Sequence, residues 1–345
     1  MHKDKVKNKK DAVMLVDRFI EEHKLLSVGG LDDSGGNPVT VIVGLSGGPD
    51  SVFLLHALCQ LRSKYKIVIV AAHLDHGWRE NSSNDALFCK NLAHDLSVEF
   101  VSAHASEIKV AECKKDSGSR EDCGRQLRRA FFAECMHKYN ASAIALAHHQ
   151  DDQLETFMVR LIRGTGVTGL ACMRPRSDAY IRPLLAFTKA EILAYLEEKS
   201  IAYVLDRTNF TDEHLRNRIR KYVLPAFKLS DERFENSCLR TIKNMQEHEA
   251  FLERLTRKTL ESLTCGFLPE ESHKLNLAEF RALDPFMQKR VLMHVLCREK
   301  VAFTPSEKFF DEMLRFLCNP TGGRHLLHLS WAIEKKRNYF WIVKK

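Results

Sequence analysis

Ten cysteines are spread through 345 residues without one Cys-x-x-Cys pair; the closest two are Cys113 and Cys123. That spacing gives no support to a zinc knuckle or a cysteine-held cluster. No window approaches the roughly 18 uncharged apolar residues that a membrane helix needs. The lysine-rich start, Met1 to Lys10, has no apolar stretch of the kind that marks a secretory leader. The expectation is a cytosolic chain with reduced thiols, most of them small core hydrophobes. The G-x-x-x-x-G-K-S/T phosphate loop is also missing, which excludes nucleotide binding by that route. There is no internal repeat.

What is present suffices for two domains, with 44% hydrophobic and 28% charged residues. The net charge of +8 suits a polyanion such as RNA, though many proteins reach it with no such partner. Ala12 to Leu26 has the pattern of an amphipathic helix, and Ser27 to Asn37 that of a linker. Apolar runs at Val39–Leu45, Ile67–Ala72, Val98–Ser102 and Ala143–Ala147 predict strands. Helical patterns at Phe88–Leu96, Arg125–Tyr139 and Thr188–Lys199 alternate with them, the last opening on Thr188 with Glu191 three residues on. The polar tract Cys113–Gly124 predicts a loop. Strand–helix alternation implies a doubly wound, mostly parallel α/β sheet. Pro225 is expected to end this domain. Beyond it, Asp231–Leu263, Leu275–Cys297 and Ser306–Leu317 predict helices, and the alternation from Gly322 predicts a terminal hairpin. The expected division is a basic segment and helix over 1–37, a nucleotide-binding domain over 38–226, and a smaller, mainly helical domain over 227–345.

In a doubly wound sheet, ligands sit at the carboxyl ends of the strands. Ser46-Gly47-Gly48-Pro49-Asp50-Ser51 follows the first strand and precedes a helix marked by Leu54, Leu55, Leu58 and Leu61. Two glycines bring bare N–H groups close to a ligand, and the helix N-terminus behind them favours anions. Ser46 and Ser51 add hydroxyls, and Asp50 is placed to hold Mg²⁺. A plain strand–helix turn is the alternative. After the second strand comes His73-Leu74-Asp75-His76-Gly77-Trp78-Arg79, which also reads as a loop with satisfied histidines. The fourth strand is followed by His148-His149-Gln150-Asp151-Asp152-Gln153-Leu154-Glu155. There His148, Asp152 and Glu155 share a helix face and suit an amine or a metal; a solvated acidic first turn is the bland reading. Arg125-Gln126-Leu127-Arg128-Arg129 and Arg216-Asn217-Arg218-Ile219-Arg220-Lys221 are phosphate-holding clusters or solvated helix faces.

The hexapeptide resembles the loop of the PP-loop ATP pyrophosphatases. The ordered set resembles the tRNA(Ile)-lysidine synthetase family among them. It runs through Ser46–Ser51, His73-x-x-His76-Gly77-x-Arg79, Arg125-x-x-Arg128 and Ala147-His148-His149-x-Asp151-Asp152-x-x-Glu155-Thr156. Arg163-Gly164-Thr165-Gly166, Arg182-Pro183-Leu184-Leu185, Asp206-x-x-Asn209 and Arg216-Asn217-x-Ile219-Arg220 complete it. Trp78 and Arg129 depart from the usual Leu and Tyr. The resemblance implies ligation of L-lysine to C2 of the wobble cytidine in tRNA(Ile) with a CAU anticodon. The reaction would consume ATP with Mg²⁺ and pass through an adenylated base. It also implies roles: Ser46, Gly47, Gly48, Pro49, Asp50 and Ser51 on ATP, and Asp50, His76 and Arg125 at the transferring phosphoryl group. Asp152 and Glu155 would bind lysine, and Arg216, Arg218 and Arg220 tRNA phosphates. The shorter family form is expected, with no further C-terminal module. A PP-loop tRNA thiolase, against which the missing Cys-x-x-Cys counts, and a non-catalytic RNA-binding protein are the rival expectations.

Overall fold

A computed structural model describes residues 12–26, 38–77, 82–108, 120–205, 214–264, 273–301, 303, 306–328 and 330–345. Valine and isoleucine fill Val39–Gly44 (β1), and successive strand side chains point to opposite faces. Val41 and Val43 therefore enter one core and Ile42 another. A strand buried on both faces needs helices on both sides. β1 pairs in parallel with Ile67–Asp75 (β2), Gly44 lying opposite Ala72. Glu99–His104 (β3) continues the sheet beyond β2 in parallel. On its other edge β1 pairs with Ala143–Ala145 (β4). The two-residue strands Arg176–Ser177 (β5) and Tyr180–Ile181 (β6) complete it, β6 parallel to β4 and β5 antiparallel to β6. The order is β3-β2-β1-β4-β6-β5. Chain connections run outward in opposite directions from β1 and β4, so the crevice opens above their carboxyl ends.

Helices Ala12–Glu22 (α1), Pro49–Leu61 (α2) and Ser82–Asp95 (α3) pack on the Val41 face. Arg120–Lys138 (α4) covers the other, with Phe131 and Phe132 in the core that holds Ile42 and Ile144. α4 begins at Arg120, so the carboxyl end of the tract expected to be loop is helical; charged residues serve a helix surface as well as a loop. Gln150–Ile162 (α5) follows β4, and Val167–Leu170 (α6) is a single turn. Lys189–Glu198 (α7) joins the Val41 face, with Tyr195 edge-on to Phe53 of α2 at 4.9 Å. Thr188 caps it in the expected box: its hydroxyl accepts from Glu191 N, and the Glu191 carboxylate accepts from Thr188 N at 2.8 Å.

The helical run continues through Pro225. Leu215–Arg218 (α8) passes through a π-helical turn, Ile219–Val223, into Leu224–Ser230 (α9), where Pro225 lies in the first turn. A widened turn just ahead of a proline relieves the clash of its ring with the carbonyl four residues back. Leu154 and Met158 of α5 share a core with Ile219, Leu224, Cys238 and Ile242. The last two lie on the long helix Phe234–Leu263 (α10). The chain divides into compact units at 1–244 and 245–345.

The second unit has its own core, with Phe280, Val291, Leu292, Met313 and Phe340. The helix expected over Leu275–Cys297 is three elements: Leu275–Asn276 (β7), Leu277–Arg281 (α11) and Pro285–Arg298 (α12). Asn276 and Asp284 each cap the helix that follows with a side-chain oxygen, and Pro285 takes the first helical position. After Glu307–Cys318 (α13), the expected hairpin is a three-stranded meander. Gly323–His328 (β8), Trp331–Lys336 (β9) and Tyr339–Lys344 (β10) join β7 in the order β7-β10-β9-β8. Cys123 is disulfide-bonded, against the expectation of reduced thiols throughout, a pairing that spacing alone does not disclose. Among the described residues no helix is long and apolar enough to cross a membrane.

Candidate active site

The turn after β1 is built from its own hydroxyls. Ser51 Oγ accepts from Ser46 N at 3.1 Å and donates to Gly48 O at 2.9 Å, and the two serine hydroxyls stand 3.1 Å apart. Ser51 is buried, so in this state it braces the loop, while Ser46 is exposed at the crevice. Gly47 has φ +82°, where an L side chain is strained, and a Cβ there would come within 3.3 Å of Cys89 Sγ. Gly48 caps α2, Pro49 opens it, and Asp50 lies in its first turn. The N–H groups of a helix's first turn have no intrahelical acceptor, an arrangement that suits an anion.

Asp50 is not alone there. Lys189, 139 residues on, places its ammonium 2.6 and 2.7 Å from the two Asp50 oxygens. In the sequence this stretch reads only as a helix start, capped by Thr188. One signal was available: a lysine in the first turn of a helix opposes the macrodipole, so something other than helix stability holds it there. Its rigidity comes from Phe187, buried against Phe53 with ring centroids 5.7 Å apart. The Phe187 carbonyl accepts from Gln150 N at 2.7 Å, tying α7 to the start of α5.

The buried His149 joins the phosphate loop to the acidic helix. Its Nε2 lies 3.8 Å from Asp50 Oδ2 and 3.5 Å from Asp152 Oδ2. Asp152 Oδ2 also accepts from His149 N at 3.0 Å. Burial alone would raise the Asp152 carboxyl, but His149, Arg216 and His148 outweigh it and hold it below the usual range. Burial raises its neighbour Asp151.

Two sets of residues given separate roles in the sequence meet one another. Arg216 donates through Nε to Glu155 Oε2 at 2.6 Å and through Nη2 to Asp152 Oδ1 at 3.0 Å. Arg220 donates to both Glu155 oxygens, at 2.5 and 3.0 Å. Glu155 is 1% exposed, and both its oxygens are taken by arginines. The bond to Glu155 raises the Arg220 guanidinium above its ordinary value. Arg218 is exposed. The π-helical turn sets Arg216 and Arg220 on the same acid, the irregular helix serving to aim a side chain.

On the opposite wall, the half-buried His76 has Arg128, not Arg125, beside it, Nη2 to Nε2 being 3.5 Å; Arg125 is exposed on α4. Burial, helped by Arg128, pushes the His76 ring down to about 4, and burial does the same to His148. Both rings are neutral at pH 7, so His76 offers a neutral hydrogen-bonding group there. Each has an ordinary value of 6.5 and protonates more readily in the unfolded chain. Unfolding therefore takes up protons between about pH 6.5 and 4, and stability falls as pH drops through that window. Thermal melts should show this fall, and His148→Gln should flatten it; a wild-type profile level through the window would contradict the burial of these rings.

Trp78, Arg79, Asp206 and Asn209 lie outside the described residues, as do Met1–Lys10 and Ser27–Asn37. Among the described residues no three His, Cys, Asp or Glu side chains converge to hold a metal ion. Asp50 with the Ser46 hydroxyl fits the other way of holding Mg²⁺, in which one carboxylate shares the ion with substrate phosphates. The Lys189 ammonium already resting on Asp50 shows that the carboxylate faces a position where positive charge is accommodated.

The PP-loop domain family model matches residues 27–227. A tRNA(Ile)-lysidine synthase of Bacillus cereus is 32% identical over 322 residues, 89% of this chain and 64% of that protein. Its counterpart in Geobacillus kaustophilus is 34% identical over 289 residues, 81% of this chain and 59% of that protein. The chain thus spans less than two thirds of the length of these curated relatives. Among solved structures, the U34-tRNA thiolase NcsA from Methanococcus maripaludis with its 4Fe-4S cluster superposes with a TM-score of 0.53 at 18% identity. It covers 68% of this chain and 80% of that one, a likeness of fold.

Proposed function

Since the chain belongs to the PP-loop domain family, we propose that it is an ATP-dependent ligase joining L-lysine to C2 of the wobble cytidine of tRNA(Ile) with a CAU anticodon. The observation that carries this reading is the position of His149, whose Nε2 lies 3.8 Å from Asp50 Oδ2 and 3.5 Å from Asp152 Oδ2. It sets a phosphate cradle and an acid suited to an ammonium one side chain apart, at the carboxyl ends of β1 and β4. A protein that only bound RNA would need neither.

The cytidine C2 oxygen attacks the α-phosphorus of ATP and pyrophosphate leaves; the lysine side-chain amine then attacks C2 and AMP leaves. Mg²⁺, held by Asp50, would neutralise charge on the departing phosphates. The N–H groups from Gly47 to the first turn of α2 receive those phosphates, and Lys189 turns from Asp50 toward them. His76, with Arg128 beside it, lines the approach of the transferring group, and Arg125 stands exposed one turn away on α4. Arg216 occupies the place of a substrate ammonium on Asp152 and yields it to lysine. Glu155 anchors Arg216 and Arg220 at the rim of the lysine site. Arg218, exposed beside these two anchored arginines, contacts tRNA phosphates, which fixes position without reading sequence.

Asp152→Ala should raise the KM for lysine by about 10- to 100-fold, since a charge-assisted contact is lost. The KM for ATP should change far less, as initial-rate kinetics with each substrate varied would show. Equal effects on both would assign the acid to a metal or a structural role. A thiolase would instead show tRNA-driven pyrophosphate release without consumption of lysine.

A further inference from the structure

The Arg182-Pro183-Leu184-Leu185 tract belongs to the resemblance, yet the reaction above gives it no task. Ile181 O accepts from Leu146 N at 2.9 Å, so Arg182 leaves the sheet beside the turn that carries His148. Pro183 stiffens the backbone just after it, and Leu184 and Leu185 are buried, which fixes where the side chain starts. Arg182 Nη1 donates to Arg174 O at 2.9 Å, tying down one end of the guanidinium.

One donor of the same group is unsatisfied. Arg182 Nε is buried and has no hydrogen-bond partner. The groups acting on its charge are Tyr180 and Arg129, with no carboxylate among them, and burial lowers its basicity. A buried N–H left without an acceptor is costly unless a ligand takes it. Nearby, His148 Nδ1 is likewise buried without a partner. Asp152 and Arg182 both lie within electrostatic reach of that ring. A free phosphate would satisfy Arg182 but be repelled by Asp152. An amino-acid head, with a cation and an anion on adjacent atoms, complements both.

We propose that Arg182 binds the α-carboxylate of the amino-acid substrate while Asp152 holds its α-ammonium, so that the zwitterionic head is fixed beside His148. The proposal rests on the reading that the nucleophile is an amino acid. It gives the unpaired Nε–H a fork-shaped acceptor, as carboxylates provide to arginine. With the head held at both charges, the side-chain amine is the end left to reach the reacting carbon. A diamine without a carboxylate would satisfy Asp152 alone and be held less firmly, so Arg182 also sets specificity.

The test compares L-lysine with L-lysinamide, which keeps both amines and lacks the anionic group, in wild type, Arg182→Gln and Arg182→Lys. Wild type should favour lysine by about 10- to 100-fold in KM, and Arg182→Gln should abolish the preference by raising the lysine KM alone. Arg182→Lys should restore part of it, and carries the test should the glutamine variant not fold. The KM for ATP in tRNA-dependent pyrophosphate release should stay within about twofold, because that contact is not made by Arg182. An equal rise in KM for both amines would overturn the proposal and leave a structural role. Loss confined to the ATP step would overturn it in favour of a phosphate site. A wild-type protein that releases pyrophosphate with tRNA but consumes neither amine would overturn the amino-acid reading itself.

Discussion

Asp50→Ala is expected to slow tRNA-dependent pyrophosphate release by about a thousandfold or more, the scale on which preorganised charge stabilisation acts. The carboxylate lies in the first turn of α2, between the loop N–H groups and the Lys189 ammonium. Its removal takes away the oxygen ligand for Mg²⁺ and leaves Lys189 without its counter-charge. The second change makes the cradle more positive, so ATP should still bind, and at low ionic strength bind at least as well. The expected signature is therefore a split: equilibrium binding of ATP retained, single-turnover release of pyrophosphate lost. Asp50→Glu, which keeps the charge on a longer arm, should recover only part of the rate, since the distance to the phosphates is set by the helix. Normal turnover in Asp50→Ala would undo the assignment of the loop. Loss of ATP binding together with turnover would mean that the carboxylate supports the loop rather than the chemistry.

The second large effect is on stability. Glu155 is 1% exposed and accepts from Arg216 and Arg220, so Glu155→Ala strips two guanidinium groups of their partner and opens a cavity beside α5. Breaking a buried pair by removing one member costs about 3–5 kcal/mol; the partial exposure of Arg220 and the remaining contact of Arg216 with Asp152 place this case near the lower figure. Urea unfolding should show the midpoint fall with the slope preserved. Adding Arg220→Ala should recover part of the loss, because one of the stranded charges is then gone. A change in Glu155→Ala within about 0.5 kcal/mol, the range of ordinary surface substitutions, would show that these pairs do not hold the α8–α9 segment to α5. Glu155→Gln, which keeps the shape, separates the charge from the cavity.

The extent to which the sequence disclosed this arrangement follows a physical boundary. Local grammar was legible. A β-branched run, two glycines and a leucine stripe gave β1, the loop and α2, and Thr188 with Glu191 gave the start of α7. Spacing along one helix gave Asp152 and Glu155 a common face. What faces that helix was not legible. Arg216 and Arg220 reach Glu155 across 61 and 65 residues, and Lys189 reaches Asp50 across 139. A basic stretch has the same pattern whether it meets solvent, a phosphate or a buried acid, and only the fold decides. β5 and β6, at two residues each, are too short to show a period. The break before Pro285 is different: Asp284-Pro285 is a helix-start signal and was present in the sequence all along. In β9, the charged Glu334, Lys335 and Lys336 hid a strand whose Ala332 and Ile333 are buried.

The most direct measurement of the central claim is incorporation of labelled L-lysine into tRNA in the presence of ATP and Mg²⁺, with isoleucine and methionine tRNAs of the same CAU anticodon compared side by side. The account predicts label in the isoleucine tRNA alone, with AMP and pyrophosphate released in step. Pyrophosphate release driven by tRNA without transfer of lysine would contradict it, and would turn the search toward another nucleophile, sulfur first.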